Sequence, residues 1–226
     1  MAINNALSDV LKRAFPNRDP IRYIQIGGND GIHADPLYPH HVAGTFEFEW
    51  GQIFEPIPEY FDLLVANMRQ FPYVKCHNLA VDDATAPGQR EFSYVSHADI
   101  EKFGLPGSSK GIGSFSRDRN ALGGIGYDEG KFSKIESHIR TIQVQTVPAE
   151  DVIRQYSDAN FLLTDCEGYD VEIIRSAFSS GDFRPRVVQY EDYQISKDLS
   201  QSTLGELQAL GYKVVRSGND VICELA

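Results

Sequence analysis

Short apolar runs in this 226-residue chain keep ending the same way, in glycine or a carboxylate. Residues 22–26 (RYIQI) stop at Gly27-Gly28-Asn29-Asp30-Gly31, and residues 51–54 (GQIF) stop at Glu55-Pro56. Residues 74–79 run toward Asp82-Asp83, residues 161–164 (FLLT) into Asp165-Cys166-Glu167, and residues 186–190 (RVVQY) into Glu191-Asp192. Helical patterns separate these runs: Pro58 suits a first helical turn, with Phe61, Leu64, Val65 and Met68 on the apolar side. Val171, Ile174 and Phe178 form a second apolar face, and Leu204, Leu207 and Leu210 a third, which Gly211 stops. Strand, turn, helix, strand predicts an α/β fold: a mostly parallel sheet with helices on both faces. Residues 212–216 and 221–225, joined by Ser217-Gly218-Asn219-Asp220, add an antiparallel terminal hairpin.

Two segments lie outside that rhythm. Within residues 1–20, Leu7, Val10, Leu11, Ala14 and Phe15 share one helical face that Pro16 ends, giving an N-terminal helix. Residues 90–95 and 140–147 alternate like exposed strands, and the insert between them, 96–140, holds 8 of the 19 glycines between Gly104 and Gly130. A connection that long is expected to act as a substrate lid or to be poorly ordered. The whole, residues 1–226, reads as one domain.

Charge and cysteine usage narrow the class of function. With 32 acidic and 21 basic side chains the net charge is −11, so nucleic acid and anionic membrane are poor partners. No apolar run is long enough to span a bilayer, and Asp9, Lys12, Arg13 and Asp19 break any secretory core near the start. Cys76, Cys166 and Cys223 lie too far apart for a CxxC pair, which fits a reducing cytoplasm.

In an open α/β sheet, ligands bind at the carboxyl edge of the strands, where these glycines and acids fall. The glycine turn at residues 27–31 lets a ligand approach the backbone closely, but it has neither the GxGxxG spacing nor the Lys-Ser/Thr of a P-loop. Glu55 at the end of the second run is placed to accept both hydroxyls of a ribose. Asp165 stands where a strand gives way to a helix, a position for a general base, a cation ligand or a substrate-orienting group. Glu167 or Asp170 is expected to cap that helix. His33, just past the glycine turn, is a further candidate base, and Tyr38 lies in the same loop.

The run 23–31 (YIQIGGNDG), then Asp35-Pro36-Leu37, then Phe54-Glu55-Pro56-Ile57-Pro58, then residues 163–170 (LTDCEGYD) and Val188-Gln189-Tyr190-Glu191, resembles the FkbM family of S-adenosylmethionine-dependent methyltransferases. The blocks occur in the family's order over residues 20–215. The resemblance implies a Rossmann-like seven-stranded methyltransferase sheet whose last strand is antiparallel. It also implies cofactor contacts from Gly27, Gly28, Asn29 and Asp30 around the methionine part, Glu55 with Pro56 at the ribose, Asp82 near the adenine, and Ser114-Phe115 flanking the site. Many members carry an acid where this chain has Gln25, and an alanine where it has Gly28. O-methylation of a hydroxyl on a sugar or other small natural-product acceptor is the implied reaction.

A hydroxyl nucleophile needs a base within hydrogen-bond reach. Asp165 is expected to be that base, or to hold a divalent metal ion that acidifies the hydroxyl, with Glu191 as its neighbour. Three rival readings use the same residues: a divalent-metal hydrolase built on the strand-end carboxylates, a non-catalytic binding module, and a nicotinamide-dependent dehydrogenase.

Overall fold

The computed structural model describes residues 5–115, 122, 129–193 and 195–226. In chain order the elements are α1 (Asn5–Ala14), β1 (Ile21–Ile26), α2 (Tyr38–Ala43), β2 (Phe48–Phe54), α3 (Pro58–Met68), β3 (Val74–His77), β4 (Ala80–Asp82) and β5 (Gly88–Val95). There follow α4 (His97–Phe103), β6 (Gly113–Ser114), α5 (Glu129–Glu136), β7 (Ile139–Pro148), α6 (Ala149–Gln155), β8 (Phe161–Thr164), α7 (Asp170–Phe178), β9 (Val187–Glu191), α8 (Lys197–Ala209), β10 (Tyr212–Ser217) and β11 (Asp220–Leu225).

Seven strands form one sheet in the order β10-β11-β9-β8-β1-β2-β3. Pairings from β9 through β3 are parallel, while β11 runs antiparallel to both its neighbours. The sheet is thus mostly parallel and closes on an antiparallel strand, as the terminal hairpin predicted. Alternation along each strand divides its side chains between two cores. Ile24, Ile26, Leu162, Val188 and Val221 pack under α6, α7 and α8. Tyr23, Phe161, Leu163, Val187 and Ile222 pack under α1 and α3. Leu7, Val10 and Leu11 of α1 are at most 1% exposed, and each such burial contributes roughly 1.5–3 kcal/mol. Arg13 fastens the end of α1 to Glu224 of β11 with bonds of 3.0 and 2.7 Å.

The structure corrects the sequence reading in four places. The run expected over 74–79 ends as β3 at His77, and β4, which carries Asp82, belongs to a separate four-stranded sheet of order β4-β7-β5-β6. At the break the Asn78 side-chain amide donates to the Glu55 and Pro56 carbonyls, tying this corner to the end of β2. Strands β5 and β7 are the two segments expected to be exposed, yet Phe92, Tyr94 and Val144 are buried against Ile57, Tyr60 and Ala80. Val65 points outward at 44% exposure, while Tyr60 is buried in a second cluster with Phe92 and Tyr94 of β5. Asp170 does not cap α7: its carboxylate accepts from the Cys166 N–H, 3.2 Å to each oxygen, and so closes the loop after β8.

Residues 116–121 and 123–128 of the expected lid lie outside the described residues. Its leading part, 107–115, crosses the carboxyl edge of the main sheet, where Lys110 meets Asp30 at 2.5 Å. Among the described residues, no helix is long and apolar enough to cross a membrane.

Candidate active site

The turn after β1 is built by glycine sterics and two carboxylates. Gly27 has φ +87°, and a Cβ there would overlap the carbonyl oxygen of Asp165, with the carbonyl carbon at 2.9 Å. Its N–H and that of Gly28 both donate to the Phe54 carbonyl at 3.0 Å, tying the turn to β2. Asp30 accepts from the Ile32 and His33 N–H groups at 2.9 and 2.6 Å with one oxygen and from Lys110 with the other. Burial pushes its carboxyl up, but the His33 N–H, Lys110 and the Ile32 N–H outweigh that and hold it below the usual range. Asp35 accepts from Leu37 N, Tyr38 N and the Gln25 side-chain amide at 2.7–2.8 Å. Its carboxyl is nonetheless raised, because desolvation exceeds these bonds.

Glu55, 4% exposed at the end of β2, accepts from Ile57 N and Asn29 N, both at 2.8 Å and each on a different oxygen. Burial dominates and raises it to about 8, with Asp165 and Asp30 adding repulsion to what the two N–H groups take away. Beyond these bonds, the protonated carboxyl keeps one O–H to donate and one lone pair to accept a hydroxyl.

Two cavities meet here. The larger, about 380 Å³, runs along the carboxyl edge past Gly28, His33, Asp35, Asp165, Glu191 and Asp220. The smaller, about 50 Å³, is an apolar slot lined by Pro56, Ile57, Val81, Phe92, Ser114, Phe115 and Tyr169. Gly27, Glu55, Gly111, Asp165 and Glu167 line both. Behind the slot, Arg90 lies 4.0 Å over the Phe115 ring and donates to Asp82 and the Tyr169 hydroxyl at 3.2 Å each. Tyr169 in turn donates to Asp83.

Acids crowd the larger cavity. Solvent reaches the Asp165 side chain, yet the cleft walls displace much of its hydration; that loss, then Asp220 and Asp35, raise it to about 6. Desolvation, then Asp165, Glu167, Asp170 and Asp220, raise Glu191 to about 9. Among the described residues no group of three His, Cys, Asp or Glu side chains converges as a metal site.

The structure therefore gathers Gly27, Gly28, Asn29, His33, Glu55, Asp165 and Glu191 around the larger cavity, with His33 exposed at its mouth. Pro56, Ser114 and Phe115 line the slot. Asp30 and Asp82 line neither: Asp30 holds its own loop and Lys110, and Asp82, 0% exposed, faces Arg90. Sequence reasoning missed Lys110, Gly111, Arg90 and Asp220 as site residues. Asp220 had a signal, since the hairpin places it opposite Ser217 at the sheet edge, but its pairing with Glu191 depends on strand order.

Comparison with solved structures finds the FkbM methyltransferase of Methylobacillus flagellatus KT at 14% identity and TM-score 0.53, covering 91% of this chain and 44% of that one. This chain thus spans under half of that protein, and the likeness shows the fold alone. Streptococcus pneumoniae Sp1610 in complex with S-adenosyl-L-methionine matches at 6% identity and TM-score 0.46 over 100% of this chain and 74% of that one. The METTL16 MTase domain matches at 12% and 0.48, over 98% and 67%. No sequence among the curated proteins matches. The Methyltransferase FkbM domain, in contrast, matches residues 25–214, from the strand before the glycine turn to the first arm of the terminal hairpin, and the chain belongs to that family.

Proposed function

We propose that the chain is an S-adenosylmethionine-dependent methyltransferase acting on a hydroxyl oxygen of a sugar or other small natural-product acceptor. The observation that carries this reading is the pair of abutting cavities, an apolar slot and an acidic cleft, with Asp165 at their junction. The residues fit the cofactor. Pro56, Ile57, Val81 and Phe115 offer an apolar lining to a flat base, and the protonated Glu55 carboxyl offers one donor and one acceptor to ribose hydroxyls. Asn29 adds a buried, unpartnered Oδ1 on the cleft wall as a further acceptor.

When bound, S-adenosylmethionine supplies an electrophilic methyl group on a sulfonium. The chain's own residues then have two tasks. The cleft walls would hold the acceptor hydroxyl against that electrophile and displace water from it. Asp165 would take the acceptor hydroxyl's proton as that oxygen is methylated and afterwards release it to water. A carboxyl raised to about 6 is ionised at neutral pH and is a stronger base than an ordinary aspartate. Glu191 stands beside it, and His33 at the mouth is a second route for the proton.

A small molecule in a cytoplasmic setting remains the partner we favour over nucleic acid or a membrane surface, given the charge of −11 and three free thiols. The test is Asp165→Asn. It should keep the thermal stabilisation by S-adenosylhomocysteine, about 2.7 kcal/mol at a hundred times its Kd, while transfer of labelled methyl falls roughly 10²–10⁴-fold. Transfer at the full rate by the variant overturns Asp165 as base, and wild-type protein that S-adenosylhomocysteine does not stabilise overturns the reading.

A further inference from the structure

Across the sheet, Gln25, Leu163 and Gln189 occupy one row on the face covered by α1 and α3. One step further along the strands stand Asp165, Glu191 and Asp220, with Glu191 and Asp220 paired between β9 and β11. Neighbouring strands are about 4.8 Å apart, so Asp220 stands three strands, ~14 Å, from Gly27 and the cofactor turn.

Both glutamines line the cleft and are 3% exposed. Each donates its amide N–H to a carboxylate, Gln25 to Asp35 at 2.8 Å and Gln189 to Asp220, and each leaves its Oε1 without a partner. An unmade buried hydrogen bond costs about 1–3 kcal/mol, so two at one cavity point to a ligand that donates. Lys110 on the cleft wall is committed to Asp30. At the far end, then, the two glutamines and the carboxylates of Glu191 and Asp220 line one space, where burial first and the neighbouring acids second raise Glu191. Among the described residues these acids do not converge as a metal-ligand group, and acceptors spread along the cleft suit a molecular cation with several diverging donors.

We infer that the methyl acceptor carries a protonated amine, as in an amino sugar or aminocyclitol, held by Gln189 Oε1 between Glu191 and Asp220 while its hydroxyl lies beside Asp165. This rests on the methyltransferase reading. The test is calorimetric titration of the full chain, saturated with S-adenosylhomocysteine, with methyl glucosaminide, methyl glucoside and methyl glucuronide. The glucosaminide should bind about tenfold or more tighter than the glucoside, and the glucuronide weakest. Asp220→Asn and Glu191→Gln should each shrink the preference for the amine. Equal affinities, tighter glucuronide binding, no glucosaminide binding, or a preference unchanged in both variants overturns the inference. Titration with S-adenosylhomocysteine alone separates the two levels: if it fails to bind, the methyltransferase reading falls; if it binds without amine preference, only the acceptor class falls.

Discussion

Replacing Gly27 by alanine tests how the cofactor turn is held, and Gly181 provides the control. Both glycines have positive φ, +87° and +77°, but a Cβ on Gly181 would meet nothing within 4 Å, whereas on Gly27 it would overlap the Asp165 carbonyl. The left-handed backbone costs an alanine about 1–2 kcal/mol, of which roughly 0.4–1 kcal/mol returns through a stiffer unfolded chain. Gly181→Ala should therefore lose about 1 kcal/mol or less. Gly27→Ala adds overpacking against backbone that cannot swing aside, because Asp165 N is bonded to the Ile26 carbonyl at 2.9 Å. Overpacking of this kind costs about 1–3 kcal/mol, for a total of roughly 2–4 kcal/mol. At about 2–4 °C per kcal/mol for a chain of this size, Tm should fall by roughly 5–15 °C, and urea unfolding should show a lower midpoint at unchanged slope. The displaced Asp165 backbone should also abolish stabilisation by S-adenosylhomocysteine. If the two alanine variants differ by less than about 0.5 kcal/mol, the contact between Gly27 and Asp165 does not constrain the turn.

Three further outcomes follow from the site. The carboxyls of Glu55 and Glu191, raised from 4.5 to about 8 and about 9, hold protons in the folded state that the unfolded chain releases; their contribution is fully present below 4.5 and lost as pH rises through those values. Tm without ligand should thus fall between pH 6 and 9, and a rising Tm counts against the burial of these acids; kcat, in contrast, should climb through pH about 6 as Asp165 ionises. Lys110→Met leaves Asp30, whose side chain is 8% exposed, without its cation, and urea unfolding should register a loss of about 2 kcal/mol; a loss under about 0.5 kcal/mol would mean that the 107–115 crossing is held by other contacts. Arg90→Ala strands the fully buried Asp82 and uncovers Phe115, so stability should drop by about 2–4 kcal/mol and S-adenosylhomocysteine should bind more weakly, and unchanged affinity would separate Arg90 from the slot.

Much of the fold was legible because its signals are local. Runs such as FLLT, with no polar side chain before Thr164, read as strands covered on both faces, and Pro16, Pro58 and Gly211 mark helix ends by their own backbone restrictions. The short helices α2, α4 and α6, of six or seven residues, gave no comparable pattern, because two turns or fewer cannot establish a period. The second sheet was hidden for a different reason. Strands β5 and β7 pair with each other across the whole glycine-rich insert, and only that long-range pairing buries Phe92 and Tyr94. Asp82 shows the consequence: it sits at a strand end, as expected, but the strand belongs to the other sheet and its carboxylate answers Arg90.

The sequence by itself determined the alternation of strand and helix, the glycine turn, and the acids that follow the strands, since propensity and side-chain period act within a few residues of chain. Only the tertiary structure decided which of those acids share a cavity. Strand order set Asp165, Glu191 and Asp220 side by side from positions up to 55 residues apart, and loss of hydration there, rather than residue type, moved their carboxyls upward. Desolvation depends on every atom that displaces water around a group, and that sum exists only once the chain has packed.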